Sequence, residues 1–281
     1  MYRLLRAAAA MGVVRYDSET ERFSSTELLQ VLHPESPHTL KHFAQASSGP
    51  AFWKTVLFLP ETVARGHNFV TAALGGELFA YFAQHQDGAL LFSTGMAEIS
   101  KPAIEEAVAA IEVGDARVAV DVGGGTGAFL CGVLHRHPQL TGVVLDLPHV
   151  VPGAAAEAAR QGLSDRVTTT AGDFFTSVPA GDIFLLKHVL HDWDDDACVK
   201  LLSNMRAAMN PGGRIFVVEM VRSDDESSVI TAMMDMAMLT STHARERELK
   251  EYQGLLEAAK LQVPQVTRIH PPYAVIEAQA A

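Results

Sequence analysis

The chain of 281 residues is long enough for two average domains, although one large domain also fits this length. Hydrophobic residues make up 48% and charged residues 20%, which is typical of a globular protein and excludes a disordered one. The net charge of −11 disfavours nucleic acid and anionic membranes as partners, because an acidic surface repels both. The chain contains two cysteines, Cys131 and Cys198, which excludes a disulfide framework and favours a reducing cytoplasm.

The first part of the chain, up to about residue 110, has the apolar spacing of short helices. The polar segment over 13–23 is compatible with a hairpin. Short helices are predicted over residues 2–11, 26–31, 39–46, 52–64 and 77–85, with one more short piece over 88–93 after the turn at Asp87–Gly88. This part has no glycine-rich loop or nucleophile signature, so we expect a helical cap or an association module.

From about residue 117, short apolar runs alternate with helical segments. Strands are predicted over 118–122, 142–146, 167–170, 183–188 and 214–219, and helices over 126–136, 149–161 and 194–209. This alternation indicates an α/β fold with a doubly wound parallel sheet. The end of the chain instead indicates two adjacent strands, over 262–269 and 273–278.

Each of the five predicted parallel strands carries polar or glycine residues at its carboxyl end. Ligands of open parallel sheets bind beyond these ends, so the five ends together indicate one binding site. In chain order the ends carry Asp121 with Gly123–Gly127, Asp146, Gly172 with Asp173 and Phe174, Lys187 with His188 and His191, and Glu219.

The glycine-rich loop after the first strand allows a ligand to approach the backbone at a helix N-terminus. Taken alone, Gly123, Gly125 and Ala128 also fit a dinucleotide fingerprint, which leaves a nicotinamide-dependent dehydrogenase open. Asp146 at the next strand end can accept both hydroxyls of a ribose, which indicates an adenosine-type ligand.

Asp173 and Phe174 bear on the identity of that nucleotide. The carboxylate can accept from an adenine amino group while the phenyl ring stacks on the base. A plain turn at Asp173 with Phe174 in the core is an equally compatible interpretation.

Four segments resemble the S-adenosylmethionine-dependent O-methyltransferases of the caffeate/flavonoid type, a family of plant phenol methyltransferases and bacterial polyketide-tailoring enzymes. They are DVGGGTG at 121–127, DLPHV at 146–150, GDFF at 172–175 and LKHVLHDWDD at 186–195. The resemblance implies a Rossmann-like doubly wound methyltransferase sheet with an antiparallel last strand. It also implies a mainly helical, winged-helix-like dimerisation or cap region, shortened here at its N-terminus. We expect that region over residues 1–100 and the cofactor-binding domain over 101–281.

The resemblance assigns roles to single residues. The cofactor residues it implies are Asp121, Gly123, Gly125, Gly127, Asp146, Asp173, Phe174 and Lys187. His191 matches the catalytic base, Glu219 the first acid that orients it and Glu246 the second, with Glu248 as the alternative. The acceptor pocket is expected to contain Phe92, Met96, His188 and Met238.

The expected reaction moves a methyl group from S-adenosylmethionine to a hydroxyl of a small aromatic or polyketide-like acceptor, leaving S-adenosylhomocysteine. A phenol has a pKa of about 10 and needs a base at neutral pH, which His191 supplies without a metal. The family further implies a homodimer. Two alternatives stay open: a cofactor-binding relative that hydroxylates or decarboxylates, and a non-enzymatic winged-helix regulator that binds DNA, which the acidic charge disfavours.

Overall fold

The computed structural model describes residues 1–224 and 228–281. Its first part is helical apart from one antiparallel hairpin, as the sequence predicts. The elements are α1 (Tyr2–Ala10), β1 (Val14–Asp17), β2 (Arg22–Ser25), α2 (Glu27–Gln30), α3 (Lys41–Ser47), α4 (Pro50–Val56), α5 (Leu59–Arg65), α6 (Val70–Leu74), α7 (Leu78–Gln84) and α8 (Gln86–Ala110).

Two helix predictions in this part are wrong in extent, and α6 was not predicted. The single helix expected over 52–64 is interrupted, because Pro60 lies in the first turn of α5 and proline is tolerated at the start of a helix rather than in its interior. The short piece expected over 88–93 belongs to the 25-residue α8. Asp87 lies in the first turn of that helix, where a negative charge is favourable, rather than in a separating turn.

The remainder of the chain forms a seven-stranded sheet covered by helices on both faces. Its elements are β3 (Val118–Val122), α9 (Ala128–Arg136), β4 (Thr141–Asp146), α10 (Val151–Arg160), β5 (Val167–Ala171), β6 (Gly181–Lys187), a 3₁₀ turn (Leu190–Asp192), α11 (Asp195–Ala208), β7 (Met209–Met220), α12 (Ser228–Ser241), α13 (Leu249–Ala258), β8 (Leu261–Arg268) and β9 (Tyr273–Ala280).

The strand order is β5-β4-β3-β6-β7-β9-β8. Strands β3 to β7 pair in parallel, and β9 enters antiparallel between β7 and β8. The predicted doubly wound sheet with an antiparallel last strand is therefore confirmed. The chain moves outward from β3 through β4 to β5 and then returns to β6 beside β3. This reversal opens a crevice at the carboxyl end of β3, where such sheets bind ligands.

Buried apolar side chains hold the helices against the two faces of the sheet. One cluster joins the sheet to α8, α9 and α10 and includes Ala107, Leu130 and Val144. The other joins it to α11 and α13 and includes Phe184, Leu201 and Leu256. All six side chains are fully buried, so the strand ends at the crevice stand on a rigid, desolvated support.

Helix α8 connects the cap region to the sheet. Its Ala103 and Ala107 belong to the core around the sheet, while its Phe92 packs against the cap cluster of α4 and α7. Gly95 lets α3 cross closely, since a Cβ there would lie 2.7 Å from the Cα of Phe43. The helix runs through the expected division at residue 100, which stays a prediction. Within 1–224 and 228–281, no helix is long and apolar enough to cross a membrane.

Candidate active site

A cavity of about 880 Å³ lies at the carboxyl ends of β3, β4 and β6 and extends under α7, α8 and α12. Most of the predicted site residues line it. They are Phe92, Met96, Asp121, Gly123, Gly125, Asp146, Asp173, Phe174, Lys187, His188, His191 and Met238. Three predicted residues do not line it: Gly127, the N-cap residue of α9 with a positive φ of 72°, and the two fully buried carboxylates Glu219 and Glu246.

The glycine loop and Asp146 form one end of the cavity. The backbone N–H of Gly125 donates to Asp146 Oδ2 at 2.8 Å, and that of Leu147 donates to Oδ1 at 2.7 Å. Gly123 has a positive φ of 67°, and a Cβ there would lie 3.1 Å from Val189 Cγ2. The Asp146 carboxylate is thus held at a strand end beside the glycine loop. Because glycine has no side chain, a ligand can approach the backbone of this loop closely. Burial raises the pKa of Asp146.

Asp121 of β3 and Lys187 of β6 both line the cavity, and Asp121 is fully buried whereas Lys187 is partly buried. Burial raises the pKa of Asp121 to about 7, although the nearby Lys187 opposes this shift. Lys187 Nζ donates to Ser100 Oγ of α8 at 3.1 Å. Asp121 Oδ2 is buried and has no hydrogen-bond partner among the described residues. A buried acceptor without a partner beside a glycine cradle fits a bound polar ligand such as S-adenosylmethionine.

The structure is compatible with both interpretations of Asp173 and Phe174, as residues that contact the cofactor and as a turn with a packed phenylalanine. Asp173 Oδ1 accepts from the backbone N–H of Phe175 at 2.8 Å, so its carboxylate closes a turn. Both residues nevertheless line the cavity. Phe174 contacts Trp193 edge to face with ring centroids 5.9 Å apart, and Trp193 stacks on Phe79 of α7 at 6.0 Å. The cap region therefore contributes directly to this wall.

His191 lies in the 3₁₀ turn after β6 and is only 3% exposed. Its Nδ1 lies 2.8 Å from Glu246 Oε1. Glu219 Oε2 is 3.8 Å away from the same nitrogen, and Glu219 Oε1 accepts from the backbone N–H groups of Val189 and Leu190 at 3.0 and 2.8 Å. The acid in direct contact with His191 is therefore Glu246, while Glu219 holds the turn.

The alternative acid, Glu248, lies away from His191. It is the N-cap residue of α13 and forms a capping box with Glu251, and its side chain pairs with Arg222 and Lys250. Glu248 therefore stabilises the start of a helix.

Arg247 is a buried residue of this site to which the sequence analysis gave no role. Its guanidinium donates to the carbonyl oxygens of Leu190 at 2.7 Å and Trp193 at 2.8 Å, and it pairs with Asp195 at 2.7 Å. Arg247 thus fastens the turn on both sides of His191 and also anchors its own neighbour, Glu246. The adjacent Glu–Arg pair was a signal for it, but a charged residue is rarely expected to be fully buried.

Three carboxylates decide the charge of His191. Burial favours the neutral ring, but Glu246, Asp192 and Glu219 outweigh it and raise the pKa of His191 to about 10. Burial raises the pKa of Glu219 to about 7 and that of Asp192 to about 6. Because Glu246 accepts from Nδ1, the hydrogen of the neutral ring resides there and Nε2 carries the free lone pair.

The wall opposite the glycine loop is mostly apolar. Phe92 and Met96 project from α8 and Met238 from α12, and Phe92 packs on Phe82 with centroids 5.0 Å apart. Among the described residues, no group of three or more His, Cys, Asp or Glu side chains is arranged to hold a metal ion. The metal-free reaction stays a prediction.

The family model for the O-methyltransferase domain matches residues 57–262. The chain belongs to this family. It is 30% identical over 280 residues to a phenazine O-methyltransferase of Lysobacter antibioticus, covering 99% of this chain and 81% of the relative. It is 32% identical to the mitomycin biosynthesis 6-O-methyltransferase of Streptomyces lavendulae, covering 93% of this chain and 75% of the relative.

Solved structures agree with this assignment. The mitomycin 7-O-methyltransferase MmcR superposes with a TM-score of 0.93 at 31% identity, over 100% of this chain and 83% of that one. Human N-acetylserotonin methyltransferase in complex with SAM gives a TM-score of 0.85 at 25% identity, over 99% and 82%. The predicted family, enzyme class and cofactor are confirmed, and the dehydrogenase, hydroxylase and regulator alternatives are not favoured.

We expect the rate of methyl transfer to rise with pH. The midpoint of this rising limb should follow the pKa of His191. A base at this position must be a neutral imidazole, and the carboxylates raise the pKa of His191 above 6.5, so we expect the active form to accumulate only as the pH rises. Glu246→Gln removes one of these negative charges and should therefore lower the pKa of His191. The limb of kcat/KM against pH should therefore move to lower pH by roughly one unit or more, with a lower plateau.

The matched control is Glu248→Gln, the same change at the acid that caps α13. It should leave the pH limb where it is in the unmodified enzyme. An identical limb in Glu246→Gln and the unmodified enzyme would contradict the assignment of Glu246 as the partner that sets the pKa of His191.

Proposed function

We propose that this O-methyltransferase methylates a hydroxyl of a small aromatic or polyketide-like acceptor, with His191 as the general base. The observation that carries the proposal is the 2.8 Å contact between His191 Nδ1 and Glu246 Oε1, in the wall of the cavity that contains Asp146. Relatives are named for phenazine and mitomycin substrates. A structural relative, NcsB1, is described in complex with SAM and 2-hydroxy-5-methyl naphthoic acid, which supports an aromatic acceptor here.

Residues at different strand ends would contact different parts of the cofactor. Asp146 would accept the ribose hydroxyls, and the backbone of Gly123 and Gly125 would border the amino-acid end. Phe174 would pack on the adenine, and Lys187 would balance the charge of Asp121. When bound, S-adenosylmethionine supplies a methyl group activated by a positively charged sulfur.

His191 removes the proton of the acceptor hydroxyl through Nε2. In the neutral ring, Glu246 holds the hydrogen on Nδ1 and Nε2 carries the lone pair that accepts the proton, and the imidazolium that forms is stabilised by the same carboxylate. The neighbouring carboxylates raise the pKa of His191 towards that of a phenol, about 10, which strengthens the neutral imidazole as a base. Arg247 and Glu219 are positioning residues that fix the turn on which this imidazole stands.

Phe92, Met96 and Met238 hold the ring of the acceptor. These side chains are apolar and adaptable, which suits a flat aromatic molecule. They come from α8 and α12, so residues on both sides of the expected boundary at residue 100 build one pocket.

We retain that boundary as a proposal. We also propose a cytoplasmic location, which the two buried free thiols Cys131 and Cys198 support.

The enzyme acts as a homodimer in this proposal. Helices α4 and α12 pack side by side, and each exposes large apolar side chains, including Trp53 at 63% and Met233 at 70% exposure. Val63 of α5 and Val229 of α12 extend this surface. Exposed apolar surface of this kind is costly in water and is typical of a contact between protein chains.

His191→Ala is expected to lower kcat by roughly 10²- to 10⁴-fold, the usual contribution of a general base. Binding of S-adenosylhomocysteine, measured by calorimetry, should persist, because the cofactor residues are unchanged. The assay follows labelled S-adenosylmethionine with a panel of phenols, hydroxynaphthoic acids and phenazines. His135→Ala, at an exposed helix end, is the control and should retain full activity. Normal turnover by His191→Ala would show that the base is another group.

Trp53→Glu combined with Met233→Glu is expected to convert a dimer into a monomer, because two charges would then face the apolar contact. Size-exclusion chromatography with light scattering measures the mass of each form. Thr169→Glu, on the exposed edge strand β5, adds a charge elsewhere and should leave the dimer intact. A monomer in the unmodified protein would contradict this part of the proposal.

A further inference from the structure

His188 is a buried residue of the cavity that the chemistry above leaves without a function. It follows the last residue of β6 and has a positive φ of 55°, a backbone conformation that residues other than glycine seldom adopt. The residue is only 9% exposed and lines the cavity together with His191. An imidazole is thus maintained in a strained backbone position at the centre of the site.

Neither ring nitrogen of His188 hydrogen-bonds to a residue in the described parts of the chain. Buried polar atoms are normally paired, so two unpaired atoms on one side chain call for a partner that enters from the cavity. Burial and the neighbouring Lys187 and His191 hold the pKa of His188 well below 6.5. The ring is therefore neutral, with one nitrogen as a donor and the other as an acceptor.

Tyr273 fixes the plane of this ring. The two rings stack with centroids 5.2 Å apart and planes inclined by 7°. On the cavity side, the centroid of His188 lies 5.1 Å from that of His191. Asp192, another polar group close to His191, is a carboxylate and mainly accepts hydrogen bonds. The His188 ring therefore presents one hydrogen-bond donor and one acceptor in a fixed orientation next to the proposed base, His191.

We propose that His188 positions the acceptor by hydrogen-bonding a second oxygen next to the hydroxyl that is methylated. The inference rests on the proposed function, since it needs an acceptor hydroxyl at His191. The two imidazoles are close enough for neighbouring oxygens of one aromatic ring to reach both. Because a neutral imidazole donates and accepts, that second oxygen belongs to either a hydroxyl or a carbonyl. Acceptors of this enzyme are then aromatic compounds with two adjacent oxygen substituents.

The test compares 2,3-dihydroxynaphthalene with 2-naphthol, which lacks the second oxygen. Calorimetry measures the binding of each to the full chain saturated with S-adenosylhomocysteine. The unmodified protein should bind the diol more tightly by roughly 3- to 10-fold, the effect of one hydrogen bond. His188→Phe retains a ring for the stack on Tyr273 but has no nitrogens, and the ratio should fall towards one. His188→Leu provides the same test if the phenylalanine variant does not fold.

In turnover assays, the loss in His188→Phe should appear mainly in KM for the diol. An unchanged affinity ratio in the variants would overturn the inference. Equal weakening of both ligands would also overturn it, because a merely structural role predicts that result. If the unmodified protein saturated with S-adenosylhomocysteine binds neither ligand, the aromatic acceptor and this inference fail together. If His191→Ala still methylates while the diol preference depends on His188, the proposed base fails and the role of His188 stands.

Discussion

The buried contact between Glu246 and His191 is the interaction on which the site depends. It joins the turn after β6 to the segment before α13, two parts of the chain that meet only in the folded protein. Both side chains are almost completely buried, so their mutual attraction is weakly screened by water. Arg247 and Glu219 satisfy the backbone around the same turn. A single orientation of the imidazole follows from these contacts.

The cap region completes a site that the sheet alone leaves open. Ser100 of α8 meets Lys187 at the end of β6, and Phe79 of α7 stacks on Trp193. Phe92 and Met96 place an apolar wall opposite the strand ends. The polar groups that we propose for the cofactor and the proton therefore lie at the ends of the sheet strands, whereas the surfaces proposed to meet the acceptor come largely from helices. Variation in those helices can change the acceptor without changing the reaction.

The sequence predicted the sheet and the strand ends, and most of the site residues that it named line the cavity, because alternating strands and helices bring strand ends together by topology alone. It was weaker where local rules compete, as at Pro60, which interrupts a regular apolar pattern, and at Asp87, which resembles a turn but begins α8. It named both acids beside His191 without indicating that Glu246 makes the direct contact, and it gave Arg247 no role, because both features depend on how a distant segment folds back. Likewise, the sequence does not indicate that φ of His188 is positive or that its ring nitrogens lack a hydrogen-bond partner among residues 1–224 and 228–281.

The most direct test of the account is the protonation of His191, observed through the nitrogen-15 chemical shifts of its ring in protein saturated with S-adenosylhomocysteine. We predict that Nδ1 retains its hydrogen at all accessible pH values, that Nε2 titrates above the ordinary range of histidine, and that Glu246→Gln lowers this titration. A neutral ring with its hydrogen on Nε2 would contradict the account, because that nitrogen could not then take a proton from an acceptor.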